Sequence, residues 1–275
     1  MTDEKAFLVI NAIPEPENMD AEQTGDSLDM GRRYRYEHIA LPLVLQDMSF
    51  GKDDPEPGDR VPKFDLPTLD GGRFRSTDLG ETGPAFLIFG SYTCPVTENS
   101  APGLKELHKR FGDRIRFVMA AVREAHPGKA VPQPQTFGQK MAHAQLLRDI
   151  HGFEFEVAVD DIDGTLHRAL SPKSNSAYLL GKDGVILFRA HWANDTKALA
   201  AALDAIAAGN APRRSQSGGV VRPAIRAVPY IAPVLDRAGR GAWGDMWRVV
   251  PPIAGMAFAL KALRIRPNKS DAREA

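Results

Sequence analysis

Two almost wholly apolar runs of strand length, AFLIF at residues 85–89 and IRFVMAAV at 115–122, the second holding one charge at Arg116, constrain the fold of this 275-residue chain more than any other feature. A strand with one wet face alternates apolar and polar residues. A run with almost no polar position belongs instead to a strand covered on both faces, as in a parallel sheet flanked by helices. The stretch between the runs supplies such a cover. In APGLKELHKRFG, Leu104, Leu107 and Phe111 fall at i, i+3 and i+7 on one helical face, and Gly112 provides a stop.

The alternation continues along the chain. TFGQKMAHAQLLRDIHG at 136–152 reads as a helix with its own glycine stop, VAV at 157–159 as a short strand, and DGTLHRAL as a short helix. AYLLGKDGVILFRAHW reads as a hairpin turning at Lys182 to Gly184, and TKALAAALDAIAAG as a closing helix ending at Gly209. Ahead of the first run, Phe64, Leu66 and Phe74 alternate with polar residues around a DGG turn, the pattern of a β-hairpin. The order β, α, β, α, β, short α, β-hairpin, α predicts an α/β fold, a thioredoxin-like three-layer sandwich with a central mixed sheet, over residues 58–210. Irregular extensions are expected on either side, an N-terminal one over 1–57 and a C-terminal one over 211–275, the latter opening with a linker, APRRSQSGG.

Charge separates these extensions. Lys plus Arg and Asp plus Glu both total 35, yet residues 1–57 carry 5 bases against 13 acids and residues 211–275 carry 12 against 4. Zero net charge and the absence of a basic motif in the central domain give no reason to expect a nucleic-acid partner. The piece AFLVI near the N-terminus is too short and too acidically flanked for a signal peptide, and the expected location is the cytoplasm. VVPPIAGMAFAL at 249–260 is too short to span a bilayer and is interrupted by Pro251 and Pro252; with Lys261, Arg264, Arg266 and Lys269 behind it, docking on the domain is expected first and a weak membrane-surface contact second. A homodimer is compatible with the sequence.

The chain has one cysteine, Cys94, in FGSYTCPVTENS. One thiol makes no internal disulfide, and without paired histidines it makes no metal site. Its position carries more information. Cys94 follows a strand and a short polar turn and precedes Pro95, so it occupies the N-cap of a helix at the C-terminal edge of the sheet, where ligands bind. Free N–H groups at a helix start favour a thiolate over a thiol. The neighbouring strand ends in REAHPG, placing Glu124 and His126 beyond the same edge. His126 is then a candidate proton donor, Glu124 a partner fixing its tautomer, and Ser91 and Thr93 supporting hydroxyls for a substrate.

FGSYTCPVT followed by REAHPG resembles the iodothyronine deiodinase family, which carries a G-S-x-T-selenocysteine-P turn and a downstream E-E-A-H-P loop on a thioredoxin-like fold. MAHAQLLRD and AYLLGKDGVILFRAHW are similar to further parts of that family, so the resemblance spans roughly residues 58–208. It implies the nucleophile at Cys94, in place of selenocysteine, a proton-relay histidine at His126 and its acidic neighbour at Glu124. Tyr92 stands where the family has a second cysteine.

The expected function is therefore a deiodinase-like thiol oxidoreductase. Cys94 attacks a soft electrophile such as an aryl iodide, His126 protonates the leaving group, and an external thiol reductant or thioredoxin-type protein regenerates the sulfur, with no bound cofactor. The alternative keeps the nucleophile and replaces the electrophile with a hydroperoxide, as in a glutathione-peroxidase-like or peroxiredoxin-like thiol peroxidase. A second alternative is a non-catalytic thioredoxin-like binding module.

Overall fold

The computed structural model describes residues 33–217 and 219–265. A short helix α1 (Leu41–Asp47) precedes the hairpin of β1 (Asp65–Pro67) and β2 (Arg73–Arg75), in which Leu66 faces Phe74. After α2 (Leu79–Thr82) come β3 (Ala85–Gly90), α3 (Pro95–Phe111), β4 (Arg116–Ala121), α4 (Phe137–His151), β5 (Glu156–Val159) and α5 (Thr165–Ala169). The hairpin of β6 (Ala177–Leu180) and β7 (Ile186–Ala190) and the helix α6 (Thr196–Ala207) complete the unit. β1 and β2 form a two-stranded sheet of their own, and the other five strands form one mixed sheet in the order β5-β4-β3-β6-β7. β3, β4 and β5 run parallel, while β6 and β7 run antiparallel to their neighbours. This is the expected thioredoxin-like arrangement.

The two apolar runs lie at the centre of the sheet because both of their faces are covered. Phe86, Ile88, Phe117 and Met119 point into the core beneath α3, α4 and α6, while Leu87, Phe89, Val118 and Ala120 join the core beneath the β1–β2 hairpin, α2 and α5. α4 begins where the sequence placed it for a local reason. The Thr136 side chain accepts the Gln139 N–H and the Gln139 side chain reaches back to the cap, a reciprocal capping box.

Two parts of the extensions differ from expectation. Residues 215–217, expected in a linker, pair with the free edge of β7: Arg189 N–H donates to Ser215 O at 2.9 Å and Ser217 N–H to Arg189 O at 3.0 Å. This blunts an edge that would otherwise expose unpaired backbone groups. Beyond it the chain is helical, not irregular, through α7 (Val221–Arg226), α8 (Val228–Ala238), α9 (Ala242–Val249) and α10 (Pro251–Ala262). Several prolines that would interrupt a helix lie at helix starts, Pro229 in α8 and Pro251 and Pro252 in α10 falling in the first two positions, where no N–H is required, while Pro233 lies inside α8. These helices enclose a small core of their own around Ile231, Leu235, Met246, Ala254 and Ala257. At the other end, the acidic extension is described only from Arg33, and the expectations for residues 1–32 lie outside the described residues. No helix of the described residues is long and apolar enough to cross a membrane.

Candidate active site

Cys94 is the N-cap of α3. Its backbone is extended, Pro95 takes the first helical position, and its sulfur accepts the Thr97 N–H at 3.4 Å. β3 ends four residues earlier, so the turn projects the thiol beyond the C-terminal edge of the parallel strands. The loop before β6 closes over the same point. Ser171 adopts a left-handed backbone (φ 78°), and Asn175 donates to Phe89 O at 2.9 Å and to Thr97 Oγ1 at 3.2 Å while accepting the Ala193 N–H at 3.2 Å. Asn175 thereby pins the end of β3 to the first turn of α3. Ser174, beside it, lies against the thiol.

The sulfur is enclosed, with only 1% of Cys94 exposed. Burial raises its pKa, and the Thr97 hydroxyl, the Thr97 and Val96 amides and the Ser174 hydroxyl offset that rise only in part. Residues of the N-terminal extension form part of the covering. Tyr36 donates its hydroxyl to Ala125 O at 3.0 Å and lies close enough to Cys94 for negative charge on the two to repel. Tyr34 is held by His167 at 2.8 Å and by the Arg123 N–H at 3.2 Å. The Arg123 guanidinium sits over both tyrosine rings, 4.8 Å and 4.9 Å from their centroids. Further along, Lys173 donates to Gln46 O, and the Asp47 carboxyl is pushed up to about 6 by burial.

The other expected site residues come together in a different arrangement. Glu124 does not hold His126. Its Oε1 meets His143 Nδ1 at 2.9 Å, and its Oε2 accepts both the Thr93 N–H at 2.8 Å and the Thr93 hydroxyl at 2.6 Å. Burial alone would raise this carboxyl, but the His143 ring and the Thr93 donors outweigh it and hold the pKa below the ordinary value. The expected hydroxyls are also engaged in this clamp: Ser91 Oγ accepts the Ala125 N–H at 3.2 Å and Thr93 Oγ1 the His126 N–H at 3.2 Å. Ser91 and Thr93 thus fix the cysteine turn to the loop after β4.

His126 is partly exposed, but its Nδ1 is fully enclosed without a partner, and that burial pushes the ring down to about 4 although Asp245 opposes it. The ring is neutral at neutral pH. Among the described residues no hydrogen bond joins it to the Cys94 sulfur, so its expected role as proton donor finds no support in this geometry. Sequence reasoning missed His143, Ser174, Asn175 and Tyr36. His143 had been indistinguishable from any other helical histidine. Tyr34 and Tyr36 did leave a signal, two aromatic residues two apart and flanked by Arg33 and Arg35. No group of His, Cys, Asp or Glu among the described residues is arranged to hold a metal ion.

Comparison with known proteins revises the expected kinship. Residues 57–189, just under half of the chain, match the profile of the AhpC/TSA family, and this span contains Cys94, Glu124, His126 and His143. The resemblance to iodothyronine deiodinases is overturned by this match, because the short motifs behind it lie within a segment that a different family accounts for. No curated protein shows significant sequence similarity to the chain. Similar solved structures include a hypothetical protein from Sinorhizobium meliloti 1021 (16% identity over 58% of this chain and 88% of that one, TM-score 0.46). An uncharacterized conserved protein from Geobacillus kaustophilus (18%, 58% and 87%, TM-score 0.47) and Peroxidoxin BcpB from Mycobacterium tuberculosis (17%, 65% and 97%, TM-score 0.38) are also similar. Likenesses at these identities and scores bear on neither substrate nor mechanism. The family match supports a thiol-dependent oxidoreductase or peroxidase.

Proposed function

We propose that this protein is a thiol peroxidase in which Cys94 reduces a hydroperoxide. The observation that carries the reading is the placement of the chain's only thiol at the N-cap of α3, with its sulfur on the Thr97 N–H, inside the segment that matches the AhpC/TSA family. In the closed arrangement burial keeps the thiol protonated. Displacing the Tyr36 segment removes that desolvation and leaves the amides of the first helical turn to favour the thiolate, so access and ionisation rise together. The thiolate then attacks the terminal peroxide oxygen. An S–O bond forms, the O–O bond breaks, sulfur is oxidised by two electrons to the sulfenic acid, and the proton released by the thiol ends on the departing alkoxide as alcohol. No second cysteine exists to resolve this product. Two equivalents of an external thiol restore Cys94, the first forming a mixed disulfide with loss of water and the second releasing it.

Enclosure of the sulfur favours a second reading, a thioredoxin-like module whose thiol is structural. Turnover separates the two. With a dithiol present, the full chain is expected to consume hydroperoxide and its Cys94→Ser variant to consume none. Equal consumption by both would leave only the structural reading.

A further inference from the structure

We infer that the last two helices, α9 and α10, form a docking surface for an anionic lipid bilayer. α10 has Lys261 in its last turn as its one charged residue and is otherwise apolar, yet only part of its circumference is covered. Ala254 and Ala257 are buried, and Ile253 and Leu260 pack beside them against α8 and α9. The opposite side faces water: Met256 is 50% exposed, Phe258 54% and Leu263 70%. Trp247, on α9, extends the same patch with its ring 6.4 Å from that of Phe258. A helix with apolar residues on every side is normally buried, and a contiguous exposed apolar patch on a folded chain marks a contact surface.

The surrounding charge selects the occupant. Arg248, Lys261 and Arg264 border the patch and are exposed. The only acids in the described part of 211–265 are Asp236 and Asp245, and both are engaged: Asp236 by Lys261 and Trp243 Nε1, Asp245 by Arg248 and His38. Three bases against these two acids, two of the bases being the acids' own partners, leave the border net positive by one charge. Apolar and aromatic side chains lie beside bases, as in helices that rest in the plane of a membrane interface, with the apolar residues entering the acyl boundary and the bases meeting anionic headgroups. Trp247 suits the headgroup level, where indole is favoured. The other occupant to be distinguished is a second copy of this chain.

Co-sedimentation of the full chain with vesicles tests this. On vesicles of phosphatidylcholine and phosphatidylglycerol at low salt the protein is expected to sediment, and on phosphatidylcholine alone to stay largely in solution. The double variant Met256→Glu, Phe258→Glu changes two exposed side chains, so a far-UV circular dichroism spectrum like that of the parent should show it folded. Its affinity for anionic vesicles is expected to fall by at least about tenfold, given two lost apolar insertions. Binding of parent protein should also shift its tryptophan emission to the blue, and a Trp247→Phe variant should lose most of that shift. No sedimentation, or equal sedimentation of parent and folded double variant, would overturn the inference. So would a concentration-dependent dimer, abolished in the double variant, in a protein that ignores vesicles.

Discussion

Glu124 satisfies both carboxylate oxygens without turning toward His126, its neighbour two residues on. The reason is one of alternation and reach. Glu124 sits inside the turn after β4, where its carboxylate meets the Thr93 amide and hydroxyl and, from α4, the ring of His143. The carboxylate is thus an internal fastener between the cysteine turn, the β4 loop and α4. Removing it leaves His143 and two Thr93 donors buried without an acceptor, and Glu124→Ala is expected to lower unfolding free energy by about 3–5 kcal/mol. Chemical denaturation measures this, and a loss below about 1 kcal/mol would contradict a fastening role. Residue identities made part of this legible. Cys94 was recognisable because Pro95 and a polar turn mark a helix start, which is local chemistry. The Glu124–His143 pair spans 19 residues and two elements, so no local signal selects His143 over the other helical histidines.

At the scale of elements, the N-terminal segment brings Tyr36 close enough to the thiol for their charges to interact. Its Tyr34 packs tightly on Gly164, whose backbone is left-handed (φ 67°); a Cβ built there would stand 2.1 Å from the tyrosine ring. Gly164→Ala must push Tyr34 away, and Tyr34→Ala removes the same contact without straining the backbone at 164. Both are expected to expose Cys94 and speed its alkylation by at least about tenfold, since each ~1.4 kcal/mol taken from a closed segment multiplies its open population by ten. Unchanged alkylation in both variants would show that the segment does not govern access. The sheet and its helices were readable because burial on both faces leaves continuous apolar runs. The helices of the C-terminal extension were not, because their prolines look the same whether they end a helix or occupy its first turn.

For the whole molecule, the two extensions are not independent tails. His38 Nδ1 meets Asp245 Oδ2 at 3.1 Å, linking the segment beside the thiol to α9. Arg237 on α8 pairs with Glu98 in the first turn of α3 at 2.6 Å and donates to Tyr92 O at 2.9 Å. The two extensions therefore meet beside the cysteine-bearing helix through a histidine of the front on an aspartate of the back, and through an arginine of the back on Glu98, contacts that the overall charge counts do not indicate. Enclosure and reactivity of Cys94 are properties of this assembly, and the unfolded chain provides their natural reference, since it holds the same sulfur without amides, cover or clamp. The most direct measurement is the second-order rate of Cys94 oxidation by hydroperoxide, read as trapped sulfenic acid, in the native full chain and in the same chain unfolded in urea. The account predicts that the native rate exceeds the unfolded rate at neutral pH despite the cover. A native rate equal to or below the unfolded one would contradict it and leave Cys94 a structural thiol.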